Sequence, residues 1–153
     1  MDAMHEGGCE CGDVRYRMGA PIFVNCCHCR MCQRHSGSAF AINAMIEADR
    51  VELIEGEVEI TGGVAKCPSC GVKLWANHPL FGEALRFVRV GTLDRSEEVQ
   101  PDAHFFTRSK HPWVTLPQDV PSFETLPPNG ISLLSDEARV RKAAALAGKP
   151  ASR

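Results

Sequence analysis

The sequence predicts a mainly β domain with little helix. Short alternations of apolar and polar residues recur along the chain and are broken repeatedly by Gly, Pro and acidic residues, the pattern of half-buried strands joined by turns. Seven of the eight cysteines fall into close clusters, at Cys9 and Cys11, at Cys27, Cys29 and Cys32, and at Cys67 and Cys70. Thiols one or two residues apart reach a single ion more readily than they form a structural disulfide, so the spacing reads as metal before crosslink. With 153 residues, 44% apolar and 24% charged, the chain fits one ordinary domain with enough length for a core.

The elements follow in order. Alternation predicts strands over Val14 to Met18, Ala39 to Ile46, Val51 to Ile54, Glu57 to Thr61, Val72 to Trp75, Leu85 to Val90 and His104 to Thr107. Glu55-Gly56 and Gly62-Gly63 read as turns between them. From Pro112 to Pro128 the prolines remove backbone donors and fix φ, so this stretch is expected to wrap the surface in extended form. Ser135-Asp136-Glu137 offers a helix start, and Ala138 to Ala147 has high helix propensity before Gly148 and Pro150. The expected organisation is a metal-binding domain over 1–130 and a C-terminal helix or flexible tail over 131–153.

A formal net charge of −2 and a pI near 6.3 give no overall footprint for nucleic acid or for an anionic membrane surface. No basic segment followed by an apolar run opens the sequence, and no stretch approaches membrane-spanning length. The expected location is cytoplasmic, where a reducing environment keeps eight thiols available as ligands.

Cys67-Pro68-Ser69-Cys70-Gly71 reads as a zinc knuckle: proline sets the turn, and glycine lets backbone N–H groups bend back toward sulfur. One knuckle supplies half a tetrahedron, and Cys9 with Cys11, also followed by glycine, is its natural complement. Cys27, Cys29 and Cys32 put three thiols into six residues. Zinc held by three protein ligands leaves a fourth position for water or substrate, and a thiol arriving there loses its proton and becomes a nucleophile toward a carbonyl. Cys26-x-x-Cys29-x-x-Cys32 is an alternative chelating arrangement, so the spacing alone leaves Cys26 open as a third or a fourth ligand. An iron–sulfur reading of Cys26, Cys29, Cys32 and Cys67 would orphan Cys9, Cys11 and Cys70.

These clusters and their surroundings resemble the glutathione-dependent formaldehyde-activating enzyme family, which includes centromere protein V. The likeness spans roughly Gly7 to Phe123. It rests on Gly8-Cys9-x-Cys11-Gly12, Cys27-His28-Cys29-x-x-Cys32-x-x-x-x-Gly37-Ser38, Cys67-x-x-Cys70-Gly71, Gly91-Thr92-Leu93-Asp94, Pro101-x-x-His104 and Pro112-Trp113-Val114. Cys26 is an addition to the family pattern, and Val72-Lys73 stands where a small hydroxyl residue often follows the second knuckle. The resemblance implies an Mss4-like β-tent of folded antiparallel sheets. It also implies a structural zinc on Cys9, Cys11, Cys67 and Cys70 and a more labile, catalytic zinc on Cys27, Cys29 and Cys32. The activity it implies is carbon–sulfur lyase chemistry, joining a thiol such as glutathione to formaldehyde or a related small aldehyde.

Other residues are candidates beside that chemistry. His104 could shuttle a proton or lend a ligand at the three-cysteine site. Arg30 and Arg34 could pair with substrate carboxylates or offset thiolate charge, and Trp113 could wall the site against water. His28, between two ligands, should point the other way, as support or exposed, and not as a ligand. Asp94 reads as a turn residue. In a second reading both metals are architectural and the chain is a non-catalytic zinc-stapled binding module. An open second site separates the two readings, because a scaffold needs four protein ligands.

Overall fold

The computed structural model describes residues 3–128 and 132–148. Among these residues the strands form two sheets, and the fold is mainly β. Sheet one has the order β1-β2-β5, from His5–Gly8, Arg15–Met18 and Val51–Glu55. Sheet two runs β10-β3-β4-β9-β8-β7-β6. Its strands are β3 Phe23–Cys27, β4 Ala41–Glu47, β6 Glu59–Thr61, β7 Val64–Lys66, β8 Lys73–Ala76, β9 Leu85–Arg89 and β10 Ala103–Phe105. All pairings between named strands are antiparallel except β10 with β3.

Each expected strand has a counterpart, shifted by a residue or two at its ends, and three strands were not anticipated. The most consequential is β3, buried at every one of its five positions. A strand covered on both faces shows no alternation, so periodicity is silent about it. The turns at Gly56 and at Gly62-Gly63 are present: all three have φ between 58° and 78°. Two consecutive left-handed residues are what a tight β6–β7 hairpin requires. A seven-residue helix, α1 Arg30–Ser36, was also unanticipated. The stretch from Pro112 contains no helix or named strand through residue 128, and its backbone bonds to the 104–108 segment.

Sheet one packs on one face of sheet two. The core between them gathers Val14, Tyr16 and Met18 against Val24, Ala44, Ile46, Leu74, Trp75 and Val88. On the opposite face of sheet two, Phe23, Met45 and Leu85 lie under the second helix, α2 Asp136–Leu146, through Ala138 and Ala145. Ser135 caps α2 as expected, accepting from the Ala138 N–H at 3.1 Å. Of the expected tail, residue 131 and residues 149–153, Pro150 included, lie outside the described residues, as do Met1 and Asp2. No described helix is long and apolar enough to cross a membrane.

The helix is tied down by a buried ion pair. Arg141 donates to Glu47 twice, Nε to Oε1 at 2.7 Å and Nη2 to Oε2 at 2.6 Å, and to the Ala20 carbonyl at 2.8 Å. Glu47 is 4% and Arg141 14% exposed at the side chain. Removing one partner strands a poorly solvated charge, so Glu47→Ala is expected to cost about 3–5 kcal/mol in urea denaturation. A Glu47→Met/Arg141→Met pair, which removes both charges, should recover most of that loss.

Candidate metal centres

The four-cysteine set joins the two sheets. Cys9 and Cys11 lie in the β1–β2 connection, and Cys67 and Cys70 in the β7–β8 connection. The two knuckles are built alike: the Cys9 N–H bonds the Val14 carbonyl, the Cys67 N–H bonds the Val72 carbonyl, and Gly12 and Gly71 take φ values of 87° and 78°. The Val14 N–H points at Cys9 Sγ from 3.3 Å. Cys9 Sγ lies 3.6 Å from Cys11 Sγ, which lies 3.7 Å from Cys67 Sγ. All four sulfurs fall within 4.8 Å of one another. Zinc–sulfur bonds of about 2.3 Å in a tetrahedron space the sulfurs about 3.8 Å apart, so the donor set fits zinc. The N–H groups of Val72 and Cys11 pull the Cys70 thiol down to about 6, toward the thiolate a cation binds.

The three-cysteine set assembles where β3 ends and α1 begins. Cys27 is the last residue of β3, Cys29 caps α1, and Cys32 lies in its first turn. Cys29 Sγ accepts from the Cys32 N–H at 3.3 Å, so the sulfur replaces the hydroxyl or carboxylate of an ordinary cap. Buried Gln33 holds the segment in place by donating from Nε2 to the His28 carbonyl at 2.8 Å and the Ser109 carbonyl at 3.0 Å. The three sulfurs lie within 4.8 Å of one another, with Cys27 and Cys32 buried and Cys29 half-buried. Hydrogen bonding with the Cys27 thiol pulls Cys32 down to about 6, despite burial, and drives Cys27 strongly upward. The three converging sulfurs are donors that a cation would hold together, and this set also fits zinc. Phe106, which packs against these cysteines, has left-handed φ and ψ of 57° and 41°, a strained backbone for a bulky residue.

Strand parity separates Cys26 from this set. Successive β3 side chains alternate between faces, so Cys26 shares the inner face with Val24, and Cys27 shares the outer face with Phe23 and Asn25. Cys26 groups with His28 and His104. The structure therefore brings His104 to Cys26, its partner in the β10–β3 register, and not to the three cysteines. His28 points away from its neighbouring cysteines as expected, yet it is fully buried. Burial pushes the Cys26 thiol up to about 12 and the His28 imidazole down to about 4, and burial also lowers His104.

Of the other candidates, Arg30 bonds Gln33 Oε1, and Arg34 is exposed on α1. Trp113, 73% exposed and beside the His111 ring, belongs to neither described core. Asp94 is more than a turn residue, since its carboxylate takes both guanidinium donors of Arg15. Sequence reasoning missed a polar row across three strands, Asn25 opposite Asn43 opposite Arg89. Asn43 Nδ2 donates to Asn25 Oδ1 at 3.3 Å and Asn43 Oδ1 accepts from Arg89 Nη1. The row borders the three cysteines, where Arg89 and Asn43 also help lower Cys32. Its one signal in the sequence is an asparagine in the middle of the apolar β4 run.

The sequence profile of the family described as "Glutathione-dependent formaldehyde-activating enzyme" matches residues 4–109. A protein from Halomonas elongata described as a "Putative glutathione-dependent formaldehyde-activating enzyme" is 28% identical, over 72% of this chain and 80% of its own length. A crystal structure of a Rhodobacter sphaeroides protein aligns at a TM-score of 0.48 and 20% identity, covering 63% of this chain and 91% of that one. The family match takes in β1 to β10 with both cysteine sets and His104, and the chain belongs to the glutathione-dependent formaldehyde-activating enzyme family.

Proposed function

We propose that this chain is a zinc-dependent enzyme of carbon–sulfur lyase type that adds a glutathione-like thiol to formaldehyde or a related small aldehyde, and catalyses the reverse. The observation that carries the reading is the convergence of three sulfurs, those of Cys27, Cys29 and Cys32, with Cys26 turned to the other face of β3. Cys27, Cys29 and Cys32 would hold one zinc, whose Lewis acidity would lower the pKa of an incoming thiol, and Cys9, Cys11, Cys67 and Cys70 would hold a second, structural zinc.

The reaction is an addition without redox change. The thiol S–H bond breaks, a carbon–sulfur bond forms at the aldehyde carbon, and the carbonyl π pair moves to oxygen, which takes one proton to become the hydroxyl. Cys27, Cys29 and Cys32 bind, and Gln33 holds the loop that carries them at a fixed distance from the 109 segment. Arg89, braced by Asn43, supplies positive charge beside Cys32 that would offset the thiolate charge gathered at this site. Arg30, Arg34 and Trp113 are the proposed contacts for the remainder of the thiol substrate. Water protonates the new alkoxide oxygen, because His104 keeps company with Cys26 on the opposite face.

Zinc-loaded protein should speed the approach to equilibrium between glutathione and formaldehyde above the spontaneous rate, and a chelator should abolish the gain. No acceleration would reject the activity and favour a zinc-stapled binding module. Arg89→Met is expected to lower kcat/KM by roughly 10- to 100-fold, the worth of about 1.5–3 kcal/mol for a hydrogen bond or contact to a charged group. Arg89→Lys should restore part of it if charge is what Arg89 contributes, which a purely structural role would not produce.

A further inference from the structure

Cys26, His28 and His104 form a cluster that the proposed reaction does not use. Cys26 and His104 are paired across the parallel β3–β10 ladder, and His28 follows two residues after Cys26 on the same face. Cys26 Sγ lies 3.7 Å from His28 Nε2, which lies 3.0 Å from His104 Nδ1. All three ligand atoms are within 4.8 Å of one another. The residues are 1%, 0% and 8% exposed.

Hydrogen bonding alone satisfies this cluster poorly. Each neutral imidazole carries one N–H, so one proton at most lies between His28 Nε2 and His104 Nδ1. The Cys26 thiol is a weak donor, and His28 Nδ1, buried, has no hydrogen-bond partner. A buried network left partly unmet calls for a physical reason. A cation on His28 Nε2 and His104 Nδ1 would replace the single proton those two nitrogens can share and engage the Cys26 sulfur as well, while His28 Nδ1, which would then carry the ring N–H, has no partner in either state. Zinc bonded at about 2.0–2.1 Å to imidazole nitrogen and about 2.3 Å to sulfur spaces the nitrogens about 3.3 Å apart and sulfur from nitrogen about 3.6 Å. The separations found, 3.0 Å and 3.7 Å, lie close to both values.

We propose that Cys26, His28 and His104 form a third metal site, distinct from both cysteine sets, taking a borderline-soft cation such as zinc through one thiolate and two imidazole nitrogens. On binding, the Cys26 S–H proton leaves to solvent and the sulfur electron pair is donated to the cation. His28 is flanked in sequence by Cys27 and Cys29, and His104 lies on the neighbouring strand. The site therefore fastens β10 to β3 directly behind the three-cysteine set.

Cadmium-113 NMR of the full chain reconstituted with cadmium tests this, because the shift separates sulfur-rich from nitrogen-rich ligand sets. The wild type is expected to show a resonance from a site with one sulfur and two nitrogens, beside those of the sulfur-only sets. That resonance, and one equivalent of bound metal, should vanish in Cys26→Ser and leave the sulfur-rich resonances in place. His104→Ala should remove the same signal and serves if Cys26→Ser does not fold. Sulfur-rich resonances alone in the wild type, or a nitrogen-rich resonance that persists in both variants, would overturn the proposal.

Discussion

Cys70→Ser is expected to destabilise the domain by several kcal/mol, although Cys70 is exposed and touches neither core. An ordinary surface substitution changes stability by no more than about 0.5 kcal/mol, and an exposed sulfur-to-oxygen exchange should be among the mildest. The expectation differs because Cys70 completes the proposed set that ties the β1–β2 connection to the β7–β8 connection, and so sheet one to sheet two. Structural zinc contributes about 10–16 kcal/mol to folding in small zinc domains, comparable with the whole stability of a globular domain, about 5–15 kcal/mol. Chelation of the wild type should therefore lower Tm steeply and Cys70→Ser should lower it similarly. The two losses should not add. Unfolding that is indifferent to chelator, with Cys70→Ser at wild-type stability, would show that hydrophobic packing alone joins the sheets.

Cys29→Ser is expected to abolish the catalysed rate and leave the fold intact. Serine is a preferred helix cap, and its oxygen can accept the Cys32 N–H bond that Cys29 Sγ accepts now, so α1 keeps its start. A neutral hydroxyl does not replace a thiolate ligand, so metal affinity at the three-cysteine set collapses while the set that joins the sheets is untouched. Thermal unfolding should move by no more than about 1 kcal/mol, the usual scale of a cap exchange. The two substitutions therefore separate the sites: Cys29→Ser removes activity at near-constant stability, and Cys70→Ser removes stability.

The clusters were legible because ligand spacing is local: two or three thiols within six residues mark a site whatever the fold around them. The β-rich character and the Gly62-Gly63 hairpin were legible for the same reason, each being set by neighbouring residues. What the sequence hid depends on pairing at a distance. β3 shows no alternation because both its faces are covered, and until it is known to be a strand through Cys27 nothing separates Cys26 from Cys27. α1 is seven residues long, begins on a cysteine cap and carries no apolar repeat, so neither the start signal nor the period announces it. The Asn25, Asn43 and Arg89 row exists through the register of three strands, and His104 meets Cys26 through a parallel pairing 78 residues away in sequence. His104 was expected near the three cysteines on residue chemistry alone, and strand parity turned it to the other face.

Cys27, Cys29 and Cys32 are proposed to form an open site at which a thiol is made nucleophilic toward an aldehyde. Two-dimensional exchange NMR measures the interconversion of glutathione and its formaldehyde adduct at equilibrium, where a catalyst changes the rate and not the populations. Zinc-loaded wild type is predicted to raise the exchange rate in proportion to protein concentration, and folded Cys29→Ser to leave it at the spontaneous value. Equal acceleration by the two proteins, or none by either, would contradict the claim.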